Sequence, residues 1–183
     1  MNKASNDSLI KYEDIVALLK NPDTKSDKVI VFDNINSSLV NQFKKEAGIT
    51  QPGKNVYFLP TTARVVDYIS KSKNAIGIVG LNWLLQPDDS LAQKKDKIKS
   101  LAVFNAKDNN YYKASQTTIA DGTYPVTREI YMLDLQGKNG LGKGFAAFAA
   151  SDIGQRVVLK SGLLPVNIPP REIIINSDKS STK

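Results

Sequence analysis

The chain contains no cysteine and no histidine among its 183 residues. Without cysteine there are no disulfides and no thiolate metal ligands, and without histidine there is no imidazole ligand and no Ser-His or Cys-His catalytic pair. Paired carboxylates remain, but Asp88 and Asp89 follow a proline in a polar stretch, where nothing indicates the burial that raises a pKa for acid/base catalysis. We therefore predict that the chain is not an enzyme and that it takes no cofactor and no metal.

Long apolar runs are absent as well. No run reaches the roughly 18 residues that a transmembrane helix needs, and residues 1–8 lack the apolar centre of an export signal. Residues 1–8 and 176–183 are rich in Asn, Ser, Lys and Asp, which predicts a disordered start and a disordered tail. We expect regular structure to begin near Leu9.

The chain does have enough apolar residues for a core, and it carries an excess of positive charge. Hydrophobic residues make up 41% of the sequence, which suits at least one full domain. The 25 Lys and Arg residues against 18 Asp and Glu residues give a net charge of +7. This excess favours anionic partners without identifying one.

Strands alternate with helices in the first half of the chain. After a short predicted helix over residues 12–20, residues 29–32 form a continuous β-branched and aromatic run, typical of a strand buried on both faces. A capped helix follows and closes at Gly48. The same order recurs with predicted strands at 56–59 and 75–80, separated by a helix that runs to about Lys71. This alternation predicts an α/β fold with a mostly parallel sheet flanked by helices.

The second half of the chain is less regular. A charged helix or turn over residues 94–99 leads into a predicted strand at 100–104, and the polar residues 105–113 predict an exposed loop. An extended stretch is predicted at 129–135, followed by a helix from about Phe145 and a second helix capped by Asp152. The last apolar run, residues 172–175, predicts an edge strand.

Two longer motifs are specific enough to compare with a known family. They are DGTYPVTREIY at residues 121–131 and SDIGQRVVLKSGLLPV at residues 151–166, and they follow the segments TTARVVDYI and NAIGIVG. In this order the segments resemble the second half of the phosphate-type substrate-binding proteins of ABC transporters, which adopt the type II periplasmic-binding-protein fold. The resemblance extends over residues from about 10 to 170.

The resemblance implies a two-lobed parent protein. Members of that family enclose their ligand between two lobes, and 183 residues are too few for two lobes of about 100–150 residues each. The resemblance thus implies that residues 9–121 form the second α/β lobe and that residues 122–175, with C-terminal helices, return to a first lobe upstream. It also implies a parent that is periplasmic or anchored at the cell envelope, and that delivers its ligand to a membrane ABC permease.

A lobe without its companion is expected to expose apolar side chains. These side chains either fold back onto residues 9–121 or pair with a second copy, which predicts a possible homodimer of this chain. The side chains in question are Phe145, Phe148, Val157, Val158, Leu163 and Leu164.

The turn after the first long strand is the strongest candidate for a ligand site. A helix N-terminus presents unpaired backbone N–H groups and the positive end of its dipole, and Asn36, Ser37 and Ser38 add side-chain donors there. Ordinary helix capping explains the same three residues. Thr61 and Thr62 begin the next helix, and Arg128 either binds an anion near the crossing between lobes or pairs with an acid such as Glu129.

The equivalent turn in the family reads Arg, three residues, then Ser-Gly-Thr, and it holds an oxyanion. In this chain, matching Ser37 to the family Ser puts Asp33 where the Arg is expected, and a shift of one residue puts Phe32 there, so neither alignment supplies a guanidinium. A carboxylate beside an anion opposes binding unless it accepts a hydrogen bond from a protonated oxygen. The predicted ligand-binding residues are Asp33, Asn34, Asn36, Ser37, Ser38, Thr61, Thr62 and Arg128.

Three functions remain open from the sequence. The first is the C-terminal part of an exported solute-binding protein for an inorganic anion, phosphate by resemblance, and on its own this chain is then expected to bind phosphate weakly or not at all. The second is an interaction or assembly protein that keeps the fold without solute capture, as the absent Arg suggests. The third, nucleic-acid binding through Tyr111, Tyr112, Tyr124, Lys107 and Lys113, is the weakest, and we predict no nucleic-acid partner.

Overall fold

The computed structural model describes residues 1–20, 27–135 and 139–167. Its strands are β1 (Leu9–Ile10), β2 (Val29–Asp33), β3 (Val56–Leu59), β4 (Ala75–Ile78), β5 (Ala102–Asn105) and β6 (Asn110–Tyr112). Its helices are α1 (Tyr12–Lys20), α2 (Ser38–Ala47), α3 (Thr62–Lys71), α4 (Leu81–Leu85), α5 (Asp89–Lys95), α6 (Gln116–Ala120), α7 (Leu141–Ala150) and α8 (Asp152–Lys160).

The central sheet has the strand order β3-β2-β4, and both of its pairings are parallel. Helices α2 and α3 connect its strands. Because the strands are parallel, each connecting helix runs antiparallel to them. Ile30, Val31 and Phe32 are fully buried in the middle strand, which means that both faces of this sheet are covered. The predicted α/β fold with parallel strands and flanking helices is confirmed.

A second sheet, of order β1-β5-β6, pairs β1 with β5 in parallel and β5 with β6 in antiparallel. The prediction of a loop over residues 105–113 is therefore wrong for β6. Asn109 adopts a positive φ of 57° in the hairpin turn, and the Phe104 and Tyr111 rings lie 5.1 Å apart across the two strands. The polar residues form the hairpin turn, while the two tyrosines give the returning strand its half-buried side chains.

The prediction that residues 1–8 are disordered is also wrong. Met1 and Asn2 are buried, and Asn2 forms a β-bridge with Ile98. The Asn2 side-chain amide donates to the carbonyls of Ile69 and Ser70 at 3.2 and 2.8 Å, which satisfies backbone acceptors in the last turn of α3. The start of the chain is thus held by this cap, by the bridge to Ile98 and by the hydrogen bond from the Lys99 amide to the Met1 carbonyl.

The two C-terminal helices differ in detail from their predicted positions. Helix α7 begins at Leu141, before the predicted start at Phe145, and the N-cap of α8 is Ser151 in place of Asp152. The Ser151 hydroxyl accepts a hydrogen bond from the Gly154 amide at 3.3 Å, whereas Asp152 already lies in the first turn. The predicted strand at residues 172–175 and the predicted disordered tail at 176–183 lie outside the described residues.

Helix α8 is attached to the rest of the chain through α6 and α4. The Gln116 side-chain amide donates to the carbonyls of Leu159 and Leu163 at 2.8 and 2.7 Å. Gly162 follows with a positive φ of 85°, and a Cβ there would lie 3.0 Å from Cβ of Leu85 and 3.1 Å from Cα of Asn82, so this position favours glycine. This end of α8 thus folds back onto the remainder of the chain.

The apolar faces of these helices are only partly covered. The expected exposure is confirmed for Phe145, Phe148 and Val157, whereas Val158, Leu163 and Leu164 are half-buried. Side chains of the stretch 130–135 are exposed as well, among them Ile130, Leu133 and Leu135. This stretch has no regular secondary structure.

Candidate functional site

All eight predicted ligand-binding residues lie at one edge of the central sheet or reach it. Strands β2 and β3 end side by side, with Asp33 in register with Leu59, so the turns that follow them occupy the same carboxyl edge. Residues 34–37 form the turn before α2, and residues 60–61 form the turn before α3. Both helices therefore present their N-termini at this edge.

The first turn is held together by its own hydrogen bonds. Asn34, with a positive φ of 34°, accepts from the Asn36 amide through Oδ1 at 3.1 Å and from the Ser37 amide through its carbonyl at 2.8 Å. Ser37 is the N-cap of α2 and accepts from the Val40 amide at 3.3 Å. The amides of Asn36 and Ser37 are thus engaged within the turn and not presented to a ligand.

The amides available at the α2 N-terminus belong to the next two residues. Within residues 1–20, 27–135 and 139–167, neither the Ser38 amide nor the Leu39 amide has an acceptor. The Ser38 side chain is exposed, so a ligand can approach these amides from solvent. These donors are shifted by about one residue from the Asn36 to Ser38 stretch that the sequence indicates.

The turn before α3 is connected directly to β2. Thr61 is the N-cap of α3 and accepts from the Arg64 amide at 3.3 Å, which is the capping role expected of it. Thr62 is buried, and its hydroxyl donates to Oδ2 of Asp33 at 2.7 Å. Asp33 is half-buried, and this bond orients its carboxylate at the edge of the sheet.

Arg128 brings a guanidinium to the same edge from a distant part of the chain. Its Nη1 donates to the hydroxyl of Ser38. Next to it, the Gln42 side-chain amide of α2 donates to the Thr127 carbonyl at 3.2 Å. Arg128 thus lies at the N-terminus of α2, and the neighbouring Glu129 accepts a hydrogen bond from the Tyr131 hydroxyl.

The segment that carries Arg128 is anchored by apolar packing. Tyr124 and Val126 pack, partly buried, against the core that includes Phe32 and Phe43. Burial raises the pKa of the Tyr124 phenol above its usual value. The anchoring fixes residues 124–128 alongside α2, and Arg128 extends from there to Ser38.

This arrangement suits an anion more than a cation. It combines two first-turn amides of a ten-residue helix, an exposed hydroxyl and one guanidinium, all of which donate hydrogen bonds. The single carboxylate, that of Asp33, can accept a hydrogen bond from a protonated oxygen of an anion. In the described part of the chain no group of three or more acidic side chains is placed to hold a metal ion.

The contact between Arg128 and Ser38, and the bond between Thr62 and Asp33, are not visible in the sequence. They join residues 90 and 29 positions apart, and no local motif indicates either pairing. The only signals are indirect: both Ser38 and Thr62 stand at helix starts that follow parallel strands.

Among the residues that the structure describes, none of the helices has the length and the apolar composition of a transmembrane span.

Comparison with known proteins gives matches over most of the chain. The family model for the PBP superfamily domain matches residues 3–152. Two curated relatives, the phosphate-binding protein PstS from two strains of Pseudomonas aeruginosa, are each 29% identical over 140 residues, which is 73% of this chain. The chain spans 40% of the length of these curated relatives.

Solved structures show the same fold. A Clostridium perfringens protein, assigned to the phosphate ABC transporter substrate-binding proteins and solved with bound phosphate, matches with a TM-score of 0.67 at 19% identity, over 91% of this chain and 67% of its own. An ABC-type phosphate transport receptor from Vibrio cholerae matches with a TM-score of 0.62 at 13% identity, over 90% of this chain and 67% of its own.

Proposed function

We propose, because this chain belongs to the PBP superfamily, that it forms a ligand-binding lobe of a solute-binding protein that captures phosphate for an ABC transporter. The names of the curated relatives and of the two solved structures support phosphate as the ligand. On this proposal the chain is a binding module and not an enzyme, and its partner is a membrane permease. The parent protein acts at the cell envelope, in the periplasm or anchored there.

The observation that carries the proposal is the meeting of Arg128 with the N-terminus of α2. A phosphate oxygen at this point accepts hydrogen bonds from the Ser38 and Leu39 amides and from the Ser38 hydroxyl. The guanidinium then supplies the positive charge that the turn itself lacks. In this arrangement Arg128 supplies the guanidinium that an Arg within the turn supplies in the family.

Asp33 gives the proposed site a means of discrimination. Its carboxylate accepts a hydrogen bond from an anion that carries a proton, as hydrogen phosphate does near neutral pH, whereas it repels an anion without one, such as sulfate. Thr62 occupies one carboxylate oxygen, so the other is the one proposed to face the ligand. Asn34, Asn36, Ser37 and Thr61 shape the two turns around this position.

We also propose how the chain is divided. Residues up to 121 form the second of the two lobes, with residues 1–8 now included, and residues 122–175 return to the first lobe, for which the longer relatives have room. A single lobe supplies hydrogen-bond donors to one side of the anion only, and the other side of the anion stays in water. Phosphate binding by this chain alone is therefore expected to be weak.

Amide chemical shifts test the proposal, because they detect weak binding at named residues. Titration of the labelled 183-residue chain with phosphate should move the Ser38 and Leu39 amide signals, and potassium chloride at the same ionic strength should not. A chain with Arg128→Gln should need more phosphate for the same movement, while Lys160→Gln, a change of equal charge on α8, should not. Unmoved Ser38 and Leu39 signals at high phosphate would refute the proposed site.

A second function, an assembly protein that keeps the fold without capturing solute, is favoured by one observation. Asp33 places a carboxylate where the family has a cation. If neither phosphate nor sulfate moves the edge signals while they respond to an added protein partner, this second function replaces the first.

A further inference from the structure

The edge of the central sheet opposite the candidate site is rich in lysine. Strands β2, β3 and β4 all begin at this edge, and α3 ends there, because the connecting helices run opposite to parallel strands. Lys54 and Lys73 precede β3 and β4 by two residues each, and Lys71 is the last residue of α3.

The start of the chain adds two more lysines to this edge. Asn2 caps the last turn of α3, and the Lys3 amide donates to the Lys97 carbonyl at 2.9 Å. Lys3 and Lys97 line a shallow cleft of about 410 Å³ together with Ser70 of α3. We define the amino-edge face as the surface around Lys3, Lys54, Lys71, Lys73 and Lys97, all of which are exposed.

The acidic groups near this face neutralise only part of its charge. Asp67 binds Lys71 and Lys94, each at 2.8 Å, and these two lysines lower the pKa of Asp67 to about 2. Asp96 lies in the shallow cleft, and the exposed Asp27 precedes β2 at the same edge by two residues. Lys3, Lys54, Lys73 and Lys97 make no ion pair in the described part of the chain. At the opposite edge, the turns at residues 34–37 and 60–61 contain no charged residue, and the charges of Asp33 and Arg128 there are of opposite sign. The amino-edge face is therefore a local concentration of the excess positive charge.

We propose that the amino-edge face docks on a bilayer that contains anionic phospholipids. The attraction is the summed Coulomb attraction of separate lysines to a charged plane, which acts over about a Debye length and needs no shaped pocket. In this orientation the candidate anion site, at the other edge of the sheet, faces away from the bilayer and stays open to solvent. The inference is independent of which anion that site binds.

Two features favour a lipid surface over a nucleic acid. The face is built from lysines, which act as point charges, and not from arginine forks that grip single phosphates. It also presents the C-terminal end of α3, whose carbonyl dipoles repel a phosphate in close contact. A charged lipid surface attracts the lysines at a distance and needs no contact between a phosphate and these carbonyls. A nucleic acid is bound through direct contacts with individual phosphates.

Vesicle sedimentation with the full 183-residue chain tests this proposal. The chain should bind vesicles of equimolar phosphatidylglycerol and phosphatidylcholine at low salt, should be released at tenfold higher salt, and should not bind pure phosphatidylcholine. Replacing Lys54, Lys73 and Lys97 by alanine should weaken binding by about fivefold for each lysine, roughly 100-fold together.

The matched control replaces Lys107, Lys143 and Lys160 by alanine, which removes the same charge from exposed positions on the β5–β6 turn, α7 and α8. The control should bind vesicles within about twofold of the original chain. Equal weakening in both triple variants would overturn the proposal, because only net charge would then matter. Failure to bind anionic vesicles at low salt, or tighter binding to single-stranded DNA than to the vesicles, would also overturn it. Phosphate-induced shifts at Ser38 are a separate readout and report only on the candidate anion site.

Discussion

The hydroxyl of Thr62 donates a 2.7 Å hydrogen bond to the carboxylate of Asp33, and this bond joins the first residue of α3 to the last residue of β2. It connects two neighbouring strand-helix units at the edge where their helix N-termini lie. Because Thr62 is buried, the bond has little competition from water. It fixes the one acidic group of the candidate anion site.

Replacing Thr62 by valine should destabilise the chain. Valine keeps the shape of threonine but removes the donor, so Asp33 loses a charge-assisted hydrogen bond in a half-buried position. We expect the free energy of unfolding to fall by about 1–3 kcal/mol, measured by urea denaturation. Thr62→Ser, which keeps the hydroxyl, should lose less. A valine variant as stable as the original chain would show that the bond contributes nothing.

The parts of the fold that follow from local patterns agree with the sequence. Helix α2 is an example, since Ser37 at its start accepts from the Val40 amide and Gly48 at its end has a positive φ of 65°. Both ends depend on residues within four positions of one another, so the sequence contains all the information needed. The buried strand β2 follows in the same way from its continuous apolar run.

Features that depend on distant pairing are those the sequence does not reveal. Asn2 is an ordinary polar residue near a chain end until α3 presents carbonyls 67 positions away. Tyr111 and Tyr112 lie in a polar stretch, and only the pairing with β5 makes it a strand. In the candidate site the capping role of Ser37 is local and predictable. The approach of Arg128 to Ser38 depends on the packing of residues 124–126 and is not.

Replacing Arg128 by glutamine should weaken phosphate binding without altering the fold. The guanidinium is exposed, so its loss leaves no buried charge unpaired, but a charge-assisted hydrogen bond to the anion is removed. We expect affinity to fall by about 10-fold or more, measured from the amide shifts of Leu39 during titration. Arg128→Lys should recover part of the affinity through its charge. A full loss of affinity in the lysine variant would mean that charge is not the important property.

Replacing Asp33 by asparagine should change the choice between anions. The amide no longer repels an anion that lacks a proton and can donate a hydrogen bond to it. We expect sulfate to bind the variant more tightly than it binds the original chain, so that the preference for phosphate falls, measured by parallel titrations at one pH. If the ratio of the two affinities is unchanged, Asp33 does not face the ligand.

The stability of this chain should rise between pH 6 and pH 8 because of its terminal amine. Burial, with a smaller contribution from Lys99, lowers the pKa of the Met1 ammonium from 8.0 to about 6, while the group donates to the Lys99 carbonyl at 2.9 Å. Between these values the unfolded chain binds the proton and the folded chain releases it, so the free energy of unfolding increases with pH.

The size of this effect follows from the shift in pKa and is about 2–3 kcal/mol across the transition. The measurement is clean because the chain has no histidine and no cysteine that would titrate in the same range. Urea denaturation at several pH values should give a slope of at most one proton. Acetylation of the Met1 amine should abolish the slope, and a slope that survives acetylation would assign it to another group.

The exposed apolar surface of the second half should make the isolated chain self-associate. Leu133 and Leu135 are 78% and 91% exposed, and Phe145 and Phe148 on α7 are 57% and 47% exposed. Large apolar side chains left in water favour association between copies. Light scattering should show a mass that increases with concentration, and a hydrophobic dye should bind. Changing Leu133 and Leu135 to serine should reduce both signals, whereas Thr117→Ser, a control at an exposed position on α6, should leave them unchanged. A strict monomer that binds no dye would contradict this prediction.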